Sequence, residues 1–208
     1  MDNHLATEHL QTIRTLMERS ALYRRALGPI CTFVGVVGIL AAVAGWALKT
    51  HGAGAFALYW MAVALVEIIG ALILMRKQAY QQGENFWSPP LRRVAQAMFP
   101  PLLVGFVFGS IVVGGFWPLG TMVISVLMMF WTMLFGLALH AAGFFMPRGV
   151  RLFGYAFIAA GCALIPALFW NPYEHYDFSP HWVMGIVFGA SHLAFGVYLH
   201  FTERKNEA

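Results

Sequence analysis

The chain has 208 residues, 60% hydrophobic and 11% charged, with a formal net charge of +4 and mean hydropathy of +0.68. A soluble domain of this length carries roughly 25% charged residues, so the composition excludes an ordinary soluble globule, a disordered tail and a nucleic-acid-binding module. The two cysteines, Cys31 and Cys162, both fall in apolar runs. That excludes a disulfide scaffold or a CxxC redox motif; both cysteines are expected in lipid-shielded helices, with Cys162 a small buried apolar group. The apolar runs are too long for a soluble core, and the chain reads as a polytopic membrane protein.

Residues 1–28 form the first segment. Within 4–27, Leu10, Ile13, Met17 and Ala21 recur at helical spacing, and Arg14 and Glu18 are a favourable i, i+4 pair on another face. A cationic amphipathic helix next to a span belongs along the cytoplasmic headgroups; docking to a partner is the competing use. It is too long for the leading segment of a cleavable signal peptide, and no processing is expected.

Residues 29–201 hold six stretches that match the roughly 20 apolar residues a spanning helix needs: Pro29–Leu48, Phe56–Met75, Pro101–Trp117, Leu119–Met146, Leu152–Trp170 and Trp182–Phe201. They are continuous and do not alternate with period two, which favours helices over a barrel. Trp117 and Pro118 make a tight turn between the third and fourth. Residues 76–100 read as an inner loop with Phe86 and Trp87 as anchors, and 171–181 as an outer loop in which His175, Asp177 and His181 are candidate metal ligands. Residues 202–208 are a short tail.

Basic residues favour the cytoplasmic side. With both termini inside, Lys49 is the only one of thirteen lysines and arginines outside. The predicted topology is therefore a six-helix bundle, N-in and C-in, in a bacterial cytoplasmic membrane. The tryptophans and tyrosines fall near the two interfaces, except Trp131, which lies well within the fourth span.

Each even span carries one strongly polar residue: Glu67, His140 and His192. Each is followed by a small residue and then a basic anchor (Arg76, Arg148 and Arg204), and at ~1.5 Å per residue the three sit at comparable depth. This suggests a threefold repeat of helical hairpins. Gly185, Gly189, His192 and Gly196 follow one helical stripe, as do Gly136, His140 and Gly143. Small residues let helices approach closely in lipid, so these histidines are expected to face protein. Gly35, Gly38, Ala42, Gly105 and Gly109 read as packing seams.

An ionised group at the centre of a span costs about 2.5–3.5 kcal/mol, which makes Glu67 the first candidate for an intramembrane polar site with His140 and His192. Its bland alternative is a protonated carboxyl bonded to a neighbouring helix. For His140 that alternative is a neutral imidazole on a backbone carbonyl. The chain lacks HExxH, Walker and GxGxxG motifs, and Gly189-Ala190-Ser191-His192 lacks the trailing glycine of GxSxG.

Three functions fit these residues. The first is a non-catalytic accessory, assembly or sensing component that carries no cofactor. It works in the lipid bilayer, alone, with itself or with another membrane protein. The second is a small transporter or channel-like protein with a Glu67, His140 and His192 pathway. The third is a metal- or haem-binding protein using the same three as candidate ligands, with His140 and His192 as the natural haem pair.

Overall fold

The structure, a computed structural model, describes residues 26–50, 52–83, 85–116, 122–168 and 179–207. Of the predicted amphipathic helix at 4–27, residues 4–25 lie outside the described residues, as do the Trp117-Pro118 turn, His175 and Asp177; residues 26–28, assigned by sequence to that first segment, belong to the first long helix. Within them the chain is all helical: α1 Ala26–Ala47, α2 Ala53–Gln81, α3 Pro89–Val113, α4 Met122–Ala142, α5 Arg148–Ala163 and α6 Pro180–Thr202. All but α5 are long and apolar enough to cross a membrane.

Successive helices run antiparallel, and the last returns to the first. Tyr59 donates its hydroxyl to the Ala41 carbonyl at 2.6 Å, tying α2 to α1. Met61 lies beside Gly109, and Gly54 beside Val112, setting α3 along α2. Phe108 stacks on Phe130 at 5.1 Å between α3 and α4. The α4–α5 pair is closer: a Cβ on Gly136 would lie 2.7 Å from the Ile158 nitrogen, and one on Gly143 would lie 2.8 Å from that of Arg151. Phe153 stacks on Phe195 at 4.4 Å and Phe157 meets Phe188 at 5.3 Å, joining α5 to α6. Then α6 packs on α1 through small residues from both helices, with Gly185 on Ala42, Gly189 on Gly38 and Gly196 on Thr32. Backbones meet there because no side chain holds them apart.

This closure gives the molecule a Lys49 end and an arginine end, the latter carrying Arg76, Arg92, Arg93, Arg148 and Arg151. The buried apolar core lies toward the Lys49 end, where Ala42, Phe56, Ala57, Trp60, Val112, Leu127, Met128 and Met184 meet. A second, aromatic cluster joins α4, α5 and α6 nearer the arginine end: Phe135, Phe153, Phe157, Phe188 and Phe195. Outward faces are largely apolar. On α2, the least covered of the five long helices, Leu58, Leu65, Val66, Ile69 and Ile73 are all exposed.

Several predicted boundaries are corrected. Residues 76–100 are mostly helix and not a loop, because α2 runs on to Gln81 and α3 begins at Pro89. A proline pair at the first helical positions loses no intrahelical bond, so Pro89 and Pro90 start α3. Pro100, read as the last loop residue, and Pro101, read as the start of a span, both lie inside α3, which tolerates the loss of their two N–H donors. The fourth span ends earlier than expected, at Ala142. The fifth starts earlier, at Arg148, and its α-helix stops at Ala163 before a 3-10 turn, Ile165–Leu168, that contains Pro166. The predicted tail is helical in its backbone as far as Glu207. Cys31 is buried, but Cys162 is exposed on the outward face of α5, since hydrophobicity alone does not distinguish a core-facing thiol from an outward-facing one.

Candidate functional site

The histidine placed by sequence in an outer loop turns out to be the most completely engaged. His181 is not in a loop; it occupies the first turn of α6, where Pro180 starts the helix and the Ser179 side chain accepts a bond from the His181 backbone nitrogen. Its side chain is 2% exposed. Trp60 donates its indole N–H to His181 Nδ1 at 3.1 Å, and His181 Nε2 lies 2.6 Å from Thr50 Oγ1. An indole nitrogen can only donate, so Nδ1 must accept and the proton of the neutral ring sits on Nε2. The chain of bonds therefore runs from Trp60 through the imidazole to Thr50, whose hydroxyl reaches the Gly45 carbonyl at 3.5 Å. Phe56 and Tyr59 pack against the ring at 5.1 and 5.4 Å. Gly45 is required here: a Cβ would run into the imidazole, 2.9 Å from its Cγ.

His192 is buried differently. Nδ1 lies 2.6 Å from the Phe188 carbonyl, one turn back on the same helix. A carbonyl only accepts, so here Nδ1 bears the proton and Nε2 the lone pair, the opposite tautomer. Phe135, Phe153 and Phe157 surround the ring at 5.2 to 5.4 Å between centroids. His192 thus faces α4 and α5, while Gly189, Leu193 and Gly196 face α1. The predicted single stripe is divided: Leu193, not His192, takes the seam position. The reason lies in residues Gly185–Ala190, which are wound as a π-helix. Steps of four residues drift about 40° in a regular α-helix; the wider turn absorbs that drift and keeps 185, 189 and 193 on one face. Glycine and alanine there leave room for it.

His140 stands apart, half-buried near the arginine end of α4. Its ring meets Tyr155 edge-on at 4.6 Å and Phe144 at 5.3 Å. The backbone beneath it is part of the α4–α5 seam, where a Cβ on Gly154 would lie 2.6 Å from the His140 nitrogen. Glu67 lies on the α1-facing stripe of α2 with Phe56, Trp60 and Gly70. Its Oε1 would be 3.5 Å from a Cβ on Gly38, the glycine that also packs on Gly189. No hydrogen bond or ion pair engages the Glu67 carboxyl among the described residues.

The predicted trio is thus distributed: His140 on an α5 tyrosine, His192 among phenylalanines, and Glu67 at the α1–α2 seam. Among the described residues no group of three or more His, Cys, Asp or Glu side chains is arranged to hold a metal ion. Trp131, the outlier from the interfacial aromatics, donates its indole N–H to the Gly105 carbonyl at 2.9 Å and so has a polar partner inside the bundle. One buried hydroxyl, Ser125 Oγ on α4, has no partner among the described residues.

Sequence reasoning missed Trp60, Thr50 and the structural role of His181. The available signal was the Ser179-Pro180 helix start, which places His181 within the helix. Comparison of the chain with models of protein families, with characterised proteins and with solved structures finds no match.

Proposed function

We propose that the chain is a six-span integral membrane protein of the bacterial cytoplasmic membrane, with both termini inside, acting as a non-catalytic accessory, assembly or sensing component. The observation that carries this reading is how the deep histidines are used. Each is engaged by its own set of neighbours within the chain, His181 by Trp60 and Thr50, His192 by Phe188, and His140 by Tyr155. They act as struts between helices. A component of this kind works by its shape in the bilayer and its association with itself or another membrane protein.

The six-span count draws support from α5. Its sixteen α-helical residues and the four-residue 3-10 turn add up to about 32 Å, enough for a hydrocarbon core of about 30 Å. The antiparallel order of six helices returns the chain to its starting side, in keeping with the basic residues gathered at one end. The hairpin repeat is compatible with this order.

The test is replacement in the native host. His140→Gln and His192→Gln should leave the physiological role intact as long as the protein accumulates normally. A complete loss of function at normal abundance would overturn the struts reading.

One observation favours the second reading, a small transporter: the Glu67 carboxyl at the Gly38–Gly189 crossing, with no bonded partner among the described residues. Proton- or cation-dependent flux in liposomes that disappears in Glu67→Gln would establish it. Metal or haem binding at His140 and His192 is checked by the visible spectrum and metal content of gently purified protein.

A further inference from the structure

We propose that His181 is an acid-sensitive latch, fastening the first turn of α6 to the α1–α2 hairpin and releasing it on protonation. Hydrogen-bond direction sets the requirement. Trp60 can only donate, so the closed arrangement needs a bare Nδ1. A protonated imidazole carries N–H at both nitrogens. Its Nδ1–H would then point at the indole N–H across 3.1 Å, two donors facing each other with no acceptor between them.

The ring has no room to turn away. Gly45 is in contact with one side of it, and Phe56, Tyr59 and Trp60 pack around the remainder. Among the described residues nothing nearby would compensate the charge. On α1, Gly45 and Ala41 offer no ionisable group. On the following turn Thr50 is neutral, and Lys49 is a cation. On α2, the only titratable neighbour is Tyr59, whose hydroxyl is given to the Ala41 carbonyl. From α4, Val123, Leu127 and Met128 fill this level of the core, and α6 itself adds Trp182 and Met184. Glu174, His175 and Asp177 precede the latch in sequence and lie outside the described residues. Relief therefore comes from moving the first turn of α6 off the hairpin. The unpartnered Ser125 hydroxyl is a further polar atom in α4, and it carries no charge.

The latch deepens the sensing branch of the proposed function and rests on that reading for its compartment: with Lys49 outside, it would respond to acidity on the external face. Hydrogen–deuterium exchange on the full chain in lipid nanodiscs, both faces open to buffer, tests the latch without assuming the topology. Between about pH 8 and about pH 5, the range in which histidine charge changes, exchange in peptides covering 45–60 and 179–186 should rise. After correction for intrinsic exchange, the expected rise is roughly five- to thirtyfold, the size expected when one or two weak interactions break. His181→Gln should remove the rise. An unchanged wild type, or the same rise in His181→Gln, overturns the proposal.

If the variant does not fold, ¹⁵N imidazole spectra of the wild type decide. His181 should carry its proton on Nε2 at the higher pH and become doubly protonated as the exchange rises. A His181 that keeps one tautomer while exchange rises overturns the latch. Labelling of Lys49→Cys from outside intact cells tests the topology separately; its failure would move the sensed side and leave the latch result standing.

Discussion

His181 and His192 lie on the same helix, both almost wholly buried, yet they are held in opposite ways. At the Lys49 end the imidazole is a crosslink: it accepts a hydrogen bond from Trp60 on α2 and donates one to Thr50 beyond α1, so three separate parts of the chain depend on it. Deeper in the bundle the second imidazole donates to the backbone of its own helix, and its contacts across helices are with aromatic rings. The first joins helices by directed bonds, which are sensitive to protonation and to geometry. The second joins them by shape, with polarity satisfied locally. A buried histidine is thus defined by its partners more than by its depth.

Overpacking should produce the largest contrast between the regions. Gly45→Ala drives a methyl into the His181 ring and is expected to cost about 1–3 kcal/mol, read as a lower midpoint in detergent unfolding. Gly149→Ala, near the second region, places its Cβ 3.7 Å from Phe195, an ordinary contact, and should stay within about 0.5 kcal/mol of wild type. Equal losses in the two would show that the glycines do not report the tightness assigned to them.

Replacing the rings comes next. His181→Phe leaves the Trp60 N–H buried without an acceptor and is expected to cost about 2 kcal/mol. His192→Phe loses one bond to a carbonyl and keeps the aromatic packing, for about 1 kcal/mol or less. The reverse order would break the distinction between a crosslink and a filler. Thr50 sharpens it further: Thr50→Val should lose about 1 kcal/mol, while Thr50→Ser retains most of the bond and most of the stability. The smallest effect belongs to Glu67→Gln. With no bonded partner for the carboxyl among the described residues, stability should change by about 0.5 kcal/mol or less. A larger loss in the same unfolding assay would reveal a contact made by Glu67.

Particular residues mark how far the sequence could be read. Long apolar runs need no tertiary information, since any chain carrying them must satisfy its backbone internally, and helices follow. The spacing of Gly136 and Gly143, and of Gly185 and Gly189, pointed to helix faces because period and size are local properties. Helix ends were less legible: proline reads equally as a starter and a breaker, so Pro89 and Pro100 could not be told apart. A uniform α-helical period puts His192 on the glycine seam. The π-helical segment Gly185–Ala190 changes that period where it lies against α1.

By itself the sequence determined the class of molecule, its helical order and the concentration of positive charge at one end, because these follow from hydrophobicity and charge read along the chain. Only the tertiary structure decided that His181 meets Trp60, residues 121 positions apart. It also decided that Glu67 faces Gly38 with no bonded partner among the described residues, that His140 and His192 have separate neighbours, and that Cys162 points outward. The physical reason is the same in each case. A side chain's polarity is encoded in its own residue, but its partner is supplied by another helix, and only packing brings the two together.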